Sequence, residues 1–263
     1  MKPASIQKFF TRDDYEALIK RYDDQKDWKM IFESIAFLYE LSEHVNAGSR
    51  TTELGCILFH MFMAKVPLMP YNVKIVAAAS LYLACKLDSP RPSNLFVEYT
   101  NNKRNPNNPD STLAETKEQL YLVESKILVE LDFALEFEVP RLYLIQFDFN
   151  YKAEAKAAIS QQLPEDVDAD KVFKELWSML MEFASKCLND TLYSPLCLYY
   201  HPAEIVAACL VFVHTLIVVS GQPLESRPKL LVGEWFTHLH KDIDMEVAAE
   251  CANEIEQLFC HLK

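Results

Sequence analysis

The side chains able to do chemistry in this chain are scattered rather than assembled. His238, His240, Cys251 and Cys260 are of the types that ligate zinc, and Cys187 or Cys197 could be paired, as a thiol nucleophile, with His201 or His214. Structural zinc sites need ligands at short recurrent spacings, and no such spacing occurs among these four residues. A nucleophilic thiol needs a neighbour that lowers its pKa, whereas apolar runs such as Ala84-Cys85 and Ala207-Ala208-Cys209 would raise it. The seven Cys, odd in number and without a Cys-x-x-Cys pair, therefore read as reduced core residues of an intracellular protein. Only four Gly are present, too few for a Gly-rich phosphate loop or for many tight hairpins. No catalytic residue, metal, cofactor or small-molecule substrate is expected, and the chain is not expected to be an enzyme.

Charge and hydropathy exclude further classes. Against 26 Lys plus Arg stand 38 Asp plus Glu, and a net charge of −12 repels polyanions, so no direct nucleic-acid partner is expected. Met1-Lys2-Pro3-Ala4 lacks the apolar core of a signal peptide. The most apolar run, Ile205 to Val219, carries His214 and falls short of the ~20 residues needed to cross a bilayer, so it reads as a buried core helix and no membrane is expected.

The elements that must position any functional group read as helices. Ile31, Ile35 and Leu38 form one amphipathic stripe, and Leu54, Ile57, Leu58, Met61 and Phe62 another. Val73 to Leu87 is apolar almost all round and rich in Ala, which predicts a helix at the centre of a bundle. A polar stretch from Asn101 to Thr112 reads as a surface loop before a helix bearing Leu120, Val123, Ile127, Leu128 and Leu131. The first lobe is expected to close near Phe147, and the Ala, Glu, Asp, Lys and Gln composition of Asn150 to Asp170 reads as a connection. Helical spacing resumes at Val172, Leu176, Leu180 and Phe183, and a last helix with Val247, Cys251, Ile255, Leu258 and Phe259 is expected to be capped by Asp244. The N-terminal Ile6, Phe9, Phe10, Tyr15 and Leu18 predict a short helix packed on the first lobe.

One four-residue run repeats: Ile75-Val76-Ala77-Ala78 recurs as Ile205-Val206-Ala207-Ala208, each copy inside a nearly all-apolar helix. Two tandem helical domains are the simplest account, a single irregular bundle the other. The expected fold is all-α, with two five-helix lobes after a short N-terminal helix. The expected boundaries are 1–27 for the N-terminal segment, 28–148 for the first lobe, 149–169 for the connection and 170–263 for the second.

Leu81-Tyr82-Leu83-Ala84-Cys85-Lys86-Leu87-Asp88 resembles the cyclin box, whose signature here is a small-residue helix ending in Ala-x-Lys and an acidic residue. Phe59-His60-Met61-Phe62 resembles the family's aromatic-His-basic-aromatic stretch, and Val123-Glu124-Ser125-Lys126-Ile127-Leu128 its helix with a partner-contacting Glu. The finer pattern is similar to the transcription-associated cyclins, closest to the cyclin Q group with cyclins K, T and L nearby. It rests on Asn105-Pro106-Asn107, on Leu196-Cys197-Leu198-Tyr199-Tyr200 and on Trp235-Phe236. Met61 departs from the usual basic residue, and Ser89 stands where a second acidic residue is common.

The resemblance implies a regulatory subunit that binds and activates a cyclin-dependent Ser/Thr protein kinase as a heterodimer, in the nucleus and with the cytoplasm left open. It implies that the first lobe holds the kinase through Lys86, Leu87, Asp88, Glu124, Phe133 and Leu135, with Lys86 and Glu124 as a polar clamp. A Lys at a helix end also complements the helix dipole, and Glu124 beside Lys117 or Lys126 also reads as a solvated charge set. Three other functions stay open: a cyclin-fold scaffold that binds a partner without activating a kinase, a meiotic cyclin-like role, and a B-type transcription initiation factor. The last uses two tandem folds of this kind to bind promoter DNA and needs the basic face that a charge of −12 denies.

Overall fold

The computed structural model describes residues 9–21, 25–66, 72–107, 109–219 and 228–261. Every regular element among them is helical, and the chain divides by its internal contacts into two compact units.

One unit comprises Phe9–Phe137 together with Leu192–Tyr199. It opens with α1 (Arg12–Arg21), started by a reciprocal cap: the Asp14 N–H donates to Thr11 Oγ1 at 3.2 Å, and the Thr11 N–H donates to Asp14 Oδ2 at 3.3 Å. Tyr15 and Leu18 are buried, and Tyr15 stacks on Tyr199 with centroids 5.2 Å apart. The N-terminal helix is thus present and packed, while Ile6 lies outside the described residues.

Five longer helices follow: α2 (Gln25–His44), α3 (Ser49–Lys65), α4 (Val73–Asp88), α5 (Ser93–Arg104) and α6 (Pro109–Glu130). Asn72 caps α4 by accepting from the N–H groups of Lys74 and Ile75. From Ile75 to Cys85 α4 is buried on every side, because α2, α3, α5 and α6 all pack against it. Gly55 of α3 makes the closest approach: a Cβ there would stand 3.2 Å from Leu81 Cα. The short α9 (Leu196–Tyr199) completes this unit, after α7 and α8 described below.

The polar stretch 101–112 is a turn only at 105–107 among the described residues, and its two ends are helical. α5 runs to Arg104 and α6 starts at Pro109, and the corner is tied by Asn101, whose Oδ1 accepts from Thr112 Oγ1 at 2.7 Å and Thr116 Oγ1 at 2.9 Å. The Asn and Thr that read as turn residues satisfy one another inside the fold.

The other described unit comprises Glu138–Thr191 and the chain from Tyr200 onward. It contains α7 (Pro140–Gln162), α8 (Ala169–Thr191), α10 (Pro202–Val219), a 3-10 turn at Trp235–His238 and α11 (Met245–His261). Here α10, which carries Ile205, is the central helix, packed against α7, α8 and α11. His201 caps it: its N–H donates to Glu204 Oε2 at 2.9 Å, and its Nδ1 accepts from the Ala203 N–H. Asp244 caps α11 as expected, accepting from the Glu246 N–H at 2.9 Å.

Three features of this unit differ from the sequence reading. Phe147, expected to close the first lobe, stacks on Tyr151 and Trp177 and meets Trp235 edge-on, so the contact boundary falls between Phe137 and Glu138. Residues 149–162, expected to be a connection, continue α7 and bury Tyr151, Ala155 and Ile159. Their Ala, Glu, Lys and Gln are strong helix formers, and their polar members cover the outer face. In α8 the buried face is Phe173, Trp177, Leu180 and Ala184, one position on from Val172 and Leu176, and it leaves Phe183 exposed. The large rings of Phe173 and Trp177 decide which face is buried.

Candidate partner-binding face

At its C-terminal end α4 emerges from the core, and its last turn holds Lys86, Leu87 and Asp88. The Lys86 Nζ donates to Glu124 Oε1 of α6 at 2.5 Å, with the Lys86 side chain 44% exposed and that of Glu124 only 7%. The ammonium also stands 4.6 Å from the centre of the Tyr82 ring, a cation–π contact one turn back on α4. A buried carboxylate and an aromatic face thus hold one exposed cation in place. An ammonium has three donors, and Glu124 is its only hydrogen-bond partner among the described residues, so the others face outward.

Leu87, beside it, is 46% exposed, a large apolar side chain left in water. Asp88 turns the other way: its carboxylate accepts from Thr51 Oγ1 at 2.5 Å and pairs with Arg50 at 3.5 Å, both in the first turn of α3, where the helix dipole favours an anion. Its charge braces α3 against α4. Ser89 accepts from Arg91, whose guanidinium also donates to the carbonyls of Val45 and Asn46. An acidic residue at position 89 is thus replaced by a hydroxyl that an Arg already serves.

α6 ends in a strained turn. The Phe133 N–H reaches back to the Leu128 carbonyl at 2.9 Å, and Asp132 and Phe133 take φ values of 50° and 58°, consecutive left-handed residues without a Gly. Such backbone costs roughly 1 to 2 kcal/mol per residue. It presents Phe133 at 67% exposure, while Leu135 is half-buried. The turn begins ~9 Å along the helix axis from Glu124 at ~1.5 Å per residue. Lys65 Nζ anchors the end of α6 by donating to the Glu130 carbonyl at 2.7 Å.

Of the six residues expected from the resemblance, Lys86 and Glu124 are in direct contact. Leu87 and Phe133 are exposed apolar groups on the two helices that carry that pair, Leu135 is partly covered, and Asp88 is spent within the unit. Sequence reasoning missed Tyr82, which seats the ammonium; Leu122 and Val129 are exposed too, but on a line of α6 turned away from Glu124. The signal for their exposure was available: both are out of phase with the buried Leu120, Val123, Ile127 and Leu131.

The remaining sequence candidates are internal. Met61 is buried, so its replacement of a basic residue is a packing matter. His60 is fully buried, its Nε2 donates to the Leu192 carbonyl at 2.8 Å, and burial pushes its pKa down to about 4. Cys56, Cys85, Cys187, Cys197, Cys209 and Cys251 are buried, and desolvation pushes the Cys85 thiol up to about 11 and that of Cys197 up to about 12. His214 Nε2 accepts from the Leu230 N–H, and His238 lies 3.2 Å from Glu154.

Residues 5–136 match the family described as cyclin, N-terminal domain. The chain is 22% identical over 262 residues to a protein of the yeast Kluyveromyces lactis, covering 93% of this chain and 64% of that protein. It is 21% identical over 228 residues to human Cyclin-K, covering 86% of this chain and 36% of that protein. It thus spans less than two thirds of the length of either relative. Its fold is that of a chain in the crystal structure of the yeast RNA Pol II CTD kinase CTDK-1 complex, with a TM-score of 0.69 at 15% identity over 96% of this chain and 73% of that one. A half-chain family match over the unit that carries Lys86 and Glu124, with the all-helical fold to go with it, places this chain in the cyclin family.

Proposed function

We propose that this chain is the regulatory, activating subunit of a cyclin-dependent Ser/Thr protein kinase of the transcription-associated branch, acting in the nucleus and supplying no catalytic group itself. The observation that carries the reading is the pair of a half-exposed Lys86 and a buried Glu124, with the solvent-exposed Leu87 and the strained, exposed Phe133 on the same two helices. Similarity to Cyclin-K and, in fold, to a chain of a kinase complex supports it.

A protein kinase is active only when its mobile helix, whose Glu pairs with the catalytic Lys, is held against the catalytic core. The face described above suits that task. Lys86, pre-positioned by Glu124 and Tyr82, offers its outward donors to backbone carbonyls of that helix. Leu87, Phe133 and Leu135 offer apolar area, worth ~1.5 to 3 kcal/mol for each large side chain fully buried on binding. The polar pair sets register and the apolar area supplies affinity. Asp88 serves the face indirectly, by bracing α3 against α4.

The test separates binding from folding. Because Glu124 is almost wholly buried, Lys86→Ala would strand a carboxylate inside the unit and destabilise it. Glu124→Gln and Leu87→Ser avoid that problem. Both should melt within ~1 kcal/mol of the parent, since one keeps the acceptor and the other changes an exposed group. Both should weaken activation of a cognate kinase at fixed concentration, with ~2 kcal/mol of lost binding for the charge-assisted contact. Normal melting with full activation by both variants would remove this face from the proposal.

A further inference from the structure

A concave feature of the same unit has no part in the face just described. A cleft of about 420 Å³ is lined by Asn72, Val73, Lys74, Lys103, Arg104 and Asn105, three of them cations in a chain whose net charge is −12. Lys103 and Arg104 occupy the last turn of α5, where the helix dipole alone accounts for them. Lys74 has no such account. It sits in the first turn of α4, which contains no acidic residue, and a cation there is opposed by the helix dipole.

The charges are only partly neutralised. Lys103 Nζ donates to Glu40 Oε2 at 2.6 Å, and Tyr99 donates to the same carboxylate oxygen at 3.1 Å. Hydrogen bonding to Lys103, with the nearby charge of Lys74, holds the Glu40 carboxyl below its ordinary range. Lys74 and Arg104 make no ion pair among the described residues, and Arg104 donates to Thr116 Oγ1 at 3.2 Å. Among the described residues the cleft thus sets three cations against one carboxylate, an excess of two positive charges. Asn72 spends its Oδ1 on the cap of α4, which leaves its amide N–H groups as neutral donors at the rim.

We propose that this cleft binds the phosphoryl group of a phosphorylated serine or threonine in a protein segment. A phosphomonoester carries close to two negative charges and three acceptor oxygens, which match the excess charge and the mixed Lys, Arg and Asn donors. An isolated cleft in an acidic molecule suits one compact dianion, whereas a nucleic acid needs a run of cations along its backbone. The choice of a phosphorylated protein as occupant rests on the kinase reading above, since such a protein is what a kinase makes; the anion chemistry of the cleft does not. In that setting the cleft would retain a substrate already phosphorylated at one position.

The experiment uses the whole chain without a kinase, so that it stands apart from the docking proposal. Fluorescence anisotropy is measured with a short labelled Gly/Ser peptide carrying one phosphoserine, and with its unphosphorylated twin. The phosphorylated peptide should bind at least ~10-fold more tightly at low ionic strength, and the preference should shrink as salt rises. Lys74→Gln should reduce the preference and Lys74→Glu should abolish it, while both variants melt as the parent does. Equal binding of the twins, or a preference untouched by Lys74→Glu, would overturn the inference. So would a single-stranded oligonucleotide that binds where the phosphopeptide does not.

Discussion

Phe133 carries two costs at once, a left-handed backbone and an aromatic ring left in water, and neither is repaid within its own unit. Phe133→Gly should therefore raise the thermal stability of the isolated chain, by up to ~1 kcal/mol, because Gly takes a positive φ without strain. The same change should weaken kinase binding, a combination that a core residue cannot produce. His60 gives the opposite kind of prediction. Its folded-state pKa of about 4 lies below the ordinary value of 6.5, so between those two values the unfolded chain binds the extra proton. Stability contributed by the neutral ring is present above pH ~6.5 and is lost as pH falls toward 4, on the order of 3 kcal/mol in all at ~1.4 kcal/mol per pH unit. Denaturant melts across that range should show the loss, and His60→Gln should flatten it. At this scale the sequence revealed residue types and not their surroundings. Lys86 and Glu124 were identifiable because the cyclin-box pattern carries them; Tyr82 was not, since only the packing of α4 against α6 shows where the ammonium sits. Asp88 was legible as an acidic residue ending α4, and its bonds to Thr51 and Arg50 were not.

Among the helices, the sequence was most informative where burial is complete and least where polar residues fold inward. The all-apolar α4 and α10, with their shared Ile-Val-Ala-Ala run, are the central helices of their units, and the stripe Ile31, Ile35 and Leu38 is buried as its period required. The stretch 101–112 is a turn only at 105–107, because hydrogen bonding, which composition does not display, turns Asn101 and Thr112 into structural groups at its helical ends. Asn101→Ala should test this directly: the hydroxyls of Thr112 and Thr116 would lose their shared acceptor, at a cost of ~1 to 3 kcal/mol in a urea melt. A change below ~0.5 kcal/mol would mean that the corner is held by packing alone. The stretch 149–162 departs from the sequence reading for a different reason. Ala, Glu, Lys and Gln are shared by linkers and by exposed helix faces, and only the spacing of Tyr151, Ala155 and Ile159 separates the two.

For the molecule as a whole, fold and family follow from independent observations. The helical units come from the backbone and the family from the match over residues 5–136. The function is the further step, and its central claim is that the first-lobe surface around Lys86 and Phe133 holds a kinase. The most direct measurement is affinity purification of the tagged chain from its source cells, in parallel with a Leu87→Ser/Phe133→Gly double variant shown beforehand to melt no lower than ~1 kcal/mol below the parent. Mass spectrometry of the eluates then identifies and quantifies what each has retained. The account predicts one Ser/Thr protein kinase in near-equal amount with the parent chain and its loss from the double variant. A kinase retained equally by both, or no kinase with the parent, would contradict it.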